Sequence, residues 1–583
     1  MRRIRSGLVL LVASLGLLLV LDLTVVPGAD TAPDDAPTGA GPTSNLAAIP
    51  TGDDAISGRA ACAVGDVREG TSSQLELVHP GPVGAAPVRV EAGRTGAEPT
   101  TLRTTQLFPS TGATVPLDGE GEDDAGVVSW QDAPLTVARR WRIDDAEDLP
   151  PGTAAGPCPV STAPTSWTLP GVSTTGGTEA LLRLVNPHAT GATVAVRFLT
   201  PEGPEAPTRL RNLSVGAGGT SELSLNEFIP ERSDVTVVVE VLSGRVAVEG
   251  VQLARAAVGD IDGVSLVQAA TEPSQTWTVP WLSDQDDRAP WMWVANDDDR
   301  TARVELTVHD QEGGLPAEGL SEVEIPPRTV RRIDLRGVLP EDGPAAVTVR
   351  SDGVPVTASG AVEIAGDDPE DTGLVVQRGA AAADPAWTLT GGSTEDRRHQ
   401  LRLVNPTAEA AQVDGTLWDG SGAEQPDELA GLEVPAGAVL SVDLEDLLGD
   451  ADRWAITLRA RSGEIVAGSV EDGDPSGAAH FVAGIGTPSS EWRTLRDPLT
   501  RRAPGTVQRL GTVAGIVPRD PFLAPEGEEA ETDPLEPEEV PGAPVVPEDP
   551  GDGPDEAEDA EDADAEALDG TDGVLDAEAP DED

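Results

Sequence analysis

The chain has 583 residues, carries 102 acidic against 39 basic side chains for a net charge of -63, and contains two Cys and no Tyr. Its length excludes a single hydrophobic core, and its charge excludes non-specific nucleic-acid binding, which depends on cations neutralising phosphates. The missing Tyr excludes the tyrosine corner of many immunoglobulin-type sandwiches.

Arg2, Arg3 and Arg5 precede an apolar run from Gly7 to Val26, broken by Ser14, Asp22 and Thr24. Positive charge ahead of an apolar segment keeps the N-terminus inside and sends the rest of the chain out of the cytoplasm. Twenty residues at about 1.5 Å each span about 30 Å, enough to cross a bilayer. Residues 1–29 therefore read as an uncleaved signal anchor or a cleaved signal peptide; a cut after Ala29 would put Pro27 at the −3 position, where a small residue is wanted. The first placement gives a single-pass membrane protein with extracytoplasmic domains, the second a secreted one. Residues 30–54 are rich in Pro, Gly, Thr, Ala and Asp and read as a flexible stalk.

The folded region is a repeat. Leu75 to Pro80 (LELVHP), Leu182 to Pro187 (LRLVNP), Met292 to Asp297 (MWVAND) and Leu401 to Pro406 (LRLVNP) each alternate apolar and polar residues and then stop at a turn. That is the pattern of a half-buried strand. The terminal residues His79, Asn186, Asn296 and Asn405 are spaced by 107, 110 and 109. Segments beginning at Phe108, Val215, Ile325 and Val434 keep the same spacings, and Trp167, Trp277 and Trp387 recur every 110 residues. In the second copy the expected strands lie near Leu181–Val185, Thr193–Leu199, Arg209–Val215, Thr220–Leu225, Asp234–Leu242, Val246–Leu253 and Val264–Gln268. Single helical turns are expected at 225–229, 335–339 and 444–448. About seven short strands in about 110 residues predict an all-β protein of four tandem immunoglobulin-like antiparallel β-sandwich domains. Their expected bounds are 55–162, 163–273, 274–384 and 385–493. A propeller is disfavoured, because its blades run about 40 to 50 residues and no half-period appears. Four such domains in series predict a rod.

Cys62 and Cys158 bracket the first copy, and in an exported chain they predict a disulfide. No metalloprotease, nucleophile-elbow or phosphate-loop motif occurs, and the five His residues are scattered, so no enzyme is expected. No cofactor is expected; acidic clusters at 118–124, 284–287, 296–299, 367–371 and 472–474 leave Ca²⁺ open as a ligand, although none matches the DxDxDG loop. Register singles out one other feature. The residues of the anchor strand that alternate with the core face are mostly polar and so expected to point outward, yet in the third copy they are Trp291 and Trp293, with Trp281 replacing the Gly171 of the WTLPG segment. Exposed aromatic residues side by side would suit a protein or glycan partner, and packing between domains is the other reading.

Residues 494–525 are a linker in which VQRLGTVAGIVPRDPF could add a strand. The last 58 residues, 526–583, carry 26 Asp or Glu and no basic residue, and read as a disordered acidic tail.

The anchor strand LRLVNP, the VPAG turn segment and the Val-rich strand pair after it resemble exported, uncharacterised proteins of high-GC Gram-positive bacteria, grouped as a domain-of-unknown-function family. The resemblance covers Leu75 to about Trp492, with departures at His79 and Asp297. It implies an envelope protein associated with envelope polysaccharide assembly and carries over no catalytic residue. Together these readings predict a non-enzymatic envelope spacer, adhesion or scaffold module, with a glycan-binding accessory protein as the alternative. The expected partners are an envelope protein or glycan, and the membrane through the N-terminal helix.

Overall fold

The computed structural model describes residues 58–494 apart from 65–68, 82–83, 94–98, 118–124, 145, 147, 161–163, 256–260, 341–344, 367–371, 395–396 and 474–479. The chain divides into two units, Met1–Pro518 and Arg519–Asp583, and every described residue belongs to the first. The apolar N-terminal segment, the stalk, the strand expected within 494–525 and the acidic tail lie outside the described residues. Among those described, no helix is long and apolar enough to cross a membrane.

The described chain is nearly all β, in eight antiparallel sheets, two per repeat. The second repeat shows the plan. Its opening sheet has the order Gly203–Glu205, Ala192–Thr200, Val235–Ser243, Ser166–Val172, with Leu213–Val215 also paired to Ala192–Thr200. Its anchor sheet has the order Thr220–Ser224, Thr178–Val185, Ala247–Ala254, Gly263–Gln268. The strand expected over Arg209–Val215 is shorter, because Thr208–Leu210 forms a 3-10 turn. The opening strand Ser166–Val172 was marked in the sequence only by its Trp. The turn at 225–229 is a 3-10 helix at Leu225–Glu227 and that at 444–448 an α-helix at Glu445–Leu448, while 335–339 is a plain turn.

Alternation explains the core. Leu182 and Leu184 on the anchor strand share a core with Val194, Val196, Phe198, Val237 and Val239 of the opening sheet, and all are fully or almost fully buried. Each such side chain contributes roughly 1.5–3 kcal/mol. The Asn that ends the anchor strand fastens its turn. Asn186 Nδ2 donates to Thr190 O (2.8 Å) and Val215 O (3.3 Å), while its Oδ1 accepts from His188 N at 3.0 Å. Asn296 and Asn405 repeat the arrangement. At the first copy His79 Nδ1 takes over the acceptor role, receiving Gly81 N at 3.0 Å.

The repeats do not run out as a rod. The opening strand of each lies on the anchor sheet of the next: Gly58–Ala63 on Thr178–Val185 and Ala247–Ala254, Ser166–Val172 on Arg288–Asn296 and Thr357–Ile364, Thr276–Leu282 on Arg397–Val404 and Val466–Gly473. Ala386–Gly391 of the fourth repeat then lies on Thr71–Val78 of the first. The closing strands Gly152–Pro157, Gly263–Gln268, Gly373–Arg378 and Val482–Ile485 touch in the same order, and the last returns to the first. The expectation of a rod is therefore corrected. Cyclic closure, familiar from propellers, is reached here with two-sheet repeats of about twice a blade's length.

Candidate functional site

Cyclic packing decides where the sequence-selected residues fall. An anchor sheet has its own core on one face and the preceding repeat on the other, so most of both faces of its central strands is covered. Of the alternate positions of the anchor strand, expected outward, one is buried in every copy: Glu76, Arg183, Trp293 and Arg402 are 5%, 3%, 3% and 8% exposed, while Gln74, Leu181 and Gln400 stay partly exposed.

Trp291, Trp293 and Trp281 are each buried and form no surface patch, which corrects the partner or glycan platform expected of them. Trp291 and Trp293 meet edge to face at 5.4 Å and extend the core of the second repeat. Trp293 Nε1 donates to Asp234 at 2.8 Å, and its ring lies on Gly171, where φ is +82° and a Cβ would sit 2.0 Å from the indole. Only Gly accommodates both that backbone and that approach. Trp281 stacks on Phe481 of the fourth repeat at 4.9 Å, with the Arg288 guanidinium near both rings.

Each seam has its own chemistry. Between the first and second repeats the fully buried Arg139 pairs with Glu249, and Arg183 lies over Trp141 at 5.3 Å. Burial pushes the Arg139 guanidinium down to about 10 despite Glu249. Between the second and third, Arg197 makes a bidentate pair with Asp297 at 2.6 and 2.5 Å. Between the fourth and first, Arg140 donates to Glu471 at 2.8 and 2.6 Å and to Glu76 at 3.0 Å, with the three side chains 7%, 2% and 6% exposed. Arg397 stands 3.9 Å from the same Glu471 carboxylate, and His480 reaches Thr153 at 3.0 Å. Burial lowers His480 to about 4 and also lowers His399.

Cys62 and Cys158 form the expected disulfide, with Cα atoms 5.3 Å apart, joining the opening strand of the first repeat to the residue after its closing strand. Beside it a cleft of about 150 Å³ opens between the first and second repeats. Its wall includes the disulfide, Trp167 and Leu266; its polar groups include Glu249, Gln268, Arg378 and Glu491. Arg378 donates to Ala269 O at 2.7 Å and stands 3.5 Å from Glu491 at the mouth.

Of the acidic clusters, that at 296–299 spends its carboxylates on guanidinium groups: Asp297 on Arg197 and Arg328, Asp298 on Arg300. Among the described residues no three His, Cys, Asp or Glu side chains are placed to hold a metal ion. Clusters 118–124 and 367–371 lie outside those residues. The seam residues Arg139, Arg140, Glu249 and Glu471 were not selected from the sequence. The signal was there in TVARRWRI, where charges at consecutive strand positions require a partner on each face.

Repeated pairs of antiparallel sheets, closed into a cycle by buried contacts, define a tandem-repeat all-β protein. The chain belongs to a family of unknown function (DUF5719), whose model matches residues 141–389 and 373–491. No curated protein matches it. Solved structures similar to it include that of Thermotoga maritima 1070, 19% identical over 19% of this chain and 97% of the other, with a TM-score of 0.17. A point mutant of the major pilin from Streptococcus pyogenes is 8% identical over 67% of this chain and 98% of the other, at 0.12. Alpha-2-macroglobulin of E. coli is 13% identical over 75% of this chain and 32% of the other, at 0.11.

Proposed function

We propose that the chain is an exported, non-enzymatic scaffold of the cell envelope, in which four immunoglobulin-like β-sandwich repeats act as one rigid platform. The observation that carries this is the closure: each anchor sheet spends its second face on a neighbouring repeat, and the fourth repeat is joined to the first by the buried Arg140–Glu471 pair. Such a body holds attached partners in fixed relation, which a chain of independent domains on short linkers does not. Two features support an extracytoplasmic setting, the Cys62–Cys158 disulfide and the arginine-headed apolar segment at the N-terminus. An oxidising compartment and an envelope anchor fit together.

The test is crosslinking of intact cells followed by recovery of the tagged chain, with thiol labelling before lysis. A scaffold brings down a defined set of envelope proteins and has Cys62 and Cys158 blocked to the label. Recovery in the cytosolic fraction with both thiols reactive would sink the proposal. The second reading, a glycan-binding accessory protein, no longer has a Trp surface to rest on; the cleft beside the disulfide is the feature that favours it.

A further inference from the structure

We propose that the cleft beside the Cys62–Cys158 disulfide is a binding site for one uncharged sugar residue, such as the end of a glycan chain. This goes beyond the scaffold reading and does not depend on it.

Three buried polar atoms belong to residues of the cleft wall and have no partner among the described residues. Trp167 is 2% exposed, and its Nε1–H donates to no group among the described residues. In the third and fourth repeats the corresponding indoles are satisfied, Trp277 by Val356 O at 2.6 Å and Trp387 by Ile465 O at 2.7 Å. Trp167 lines the cleft. Two more groups on the same wall are unpartnered among the described residues: Gln268 Oε1, an acceptor, and Arg378 Nε, a donor. The amide of Gln268 lies so close to Gly156 that a Cβ there would stand 2.6 Å from Nε2, so the first repeat's closing strand is cut back where the amide enters.

Chemistry then narrows the ligand. A hydrocarbon would leave two buried donors and one buried acceptor without partners, each at a cost of roughly 1–3 kcal/mol. A charged group finds no free countercharge among the described residues of the wall, because Arg378 faces Glu491 and Glu249 is paired with Arg139. What fits is a neutral body with several hydroxyls, each able both to donate and to accept, and with an apolar face for Leu266, Val248 and the disulfide. The volume of about 150 Å³ restricts the buried part to about one ring.

The test is titration of the full chain by calorimetry and saturation-transfer NMR with D-glucose, D-galactose, D-mannose, L-rhamnose and N-acetyl-D-glucosamine, and with an uncharged blocked tripeptide as the competing class. At least one sugar should bind in the millimolar range or tighter. Gln268→Ala, at a partly exposed side chain, should weaken it at least tenfold, and Thr271→Trp at the exposed mouth should abolish it, both with unchanged melting temperature. If no sugar binds, if the tripeptide binds and the sugars do not, or if both folded variants bind like the parent, the site is not a sugar site.

Discussion

At the scale of single residues, Arg140 holds the closing seam. It joins Glu76 of its own repeat to Glu471 of the fourth, and all three are buried. Removing one member of a buried pair strands the remaining charge, at a cost of about 3–5 kcal/mol, whereas replacing all members with neutral groups is often tolerated. Arg140→Met should therefore lower the unfolding free energy by about that amount in chemical denaturation, and adding Glu76→Gln with Glu471→Gln should recover much of it. The same seam sets an acid limit. Burial holds the His480 imidazole down to about 4 and His399 below its ordinary value of 6.5, so folding favours their neutral forms. Stability from these groups is intact above about pH 6.5 and falls as pH drops toward 4, because the unfolded chain takes up protons that the folded one refuses. Burial alone would raise the Glu471 carboxyl, but Arg140 outweighs it and leaves it lowered. Its contribution is present above its unfolded value of 4.5 and is lost as pH falls through the lower folded value. Denaturation midpoints should decline in two stages from pH 7.5 to 3.5, and His480→Gln should flatten the upper stage. An unchanged upper stage would show that His480 is not buried as described. None of this could be read from single positions, since Arg140 and Glu471 are 331 residues apart.

For strands and sheets, the sequence was most informative where a side chain's role is local. The alternation of Leu182 and Leu184 placed a core face correctly, and the repeated Asn marked a turn, because an amide that closes its own turn keeps its spacing from the strand it ends. The other face was misread. Polar residues on a strand point outward only when nothing covers the sheet, and here Arg183 and Arg402 lie beneath a neighbouring repeat. Trp291 and Trp293 follow the same geometry as those arginines, putting aromatic rings at these positions of a seam that also holds the Arg197–Asp297 pair. Trp291→Ala with Trp293→Ala should then destabilise the folded unit by about 3–5 kcal/mol per ring, read as a lowered melting temperature; near-parental stability would mean that the rings carry no packing. Reduction of Cys62–Cys158 releases both ends of the first repeat at once. A loss of about 2–5 kcal/mol in stability with dithiothreitol is expected, and Cys62→Ser with Cys158→Ser should reproduce it. No effect would show that the bond does not constrain the unfolded chain.

On the level of the whole described unit, the repeat period was legible because two independent motifs kept identical spacings, while the closure was not. Period counts copies and says nothing about whether the last returns to the first; that depends on the few contacts unique to the fourth–first seam. One such contact is Trp418 lying against Gly112, where a Cβ would come within 2.7 Å of the ring. The direct measurement is electron paramagnetic resonance on the full chain carrying spin labels at Asp144→Cys and Arg398→Cys, both exposed, the first close to Arg397 of the fourth repeat and the second next to Arg397 in the chain, with the native disulfide left oxidised. Closure predicts strong dipolar broadening that disappears on unfolding or in either singly labelled chain. An extended series would separate the labels by two repeats, more than roughly 60 Å at about 30 Å per nine-residue strand, and spectra equal to the sum of the two singles would contradict the closed cycle.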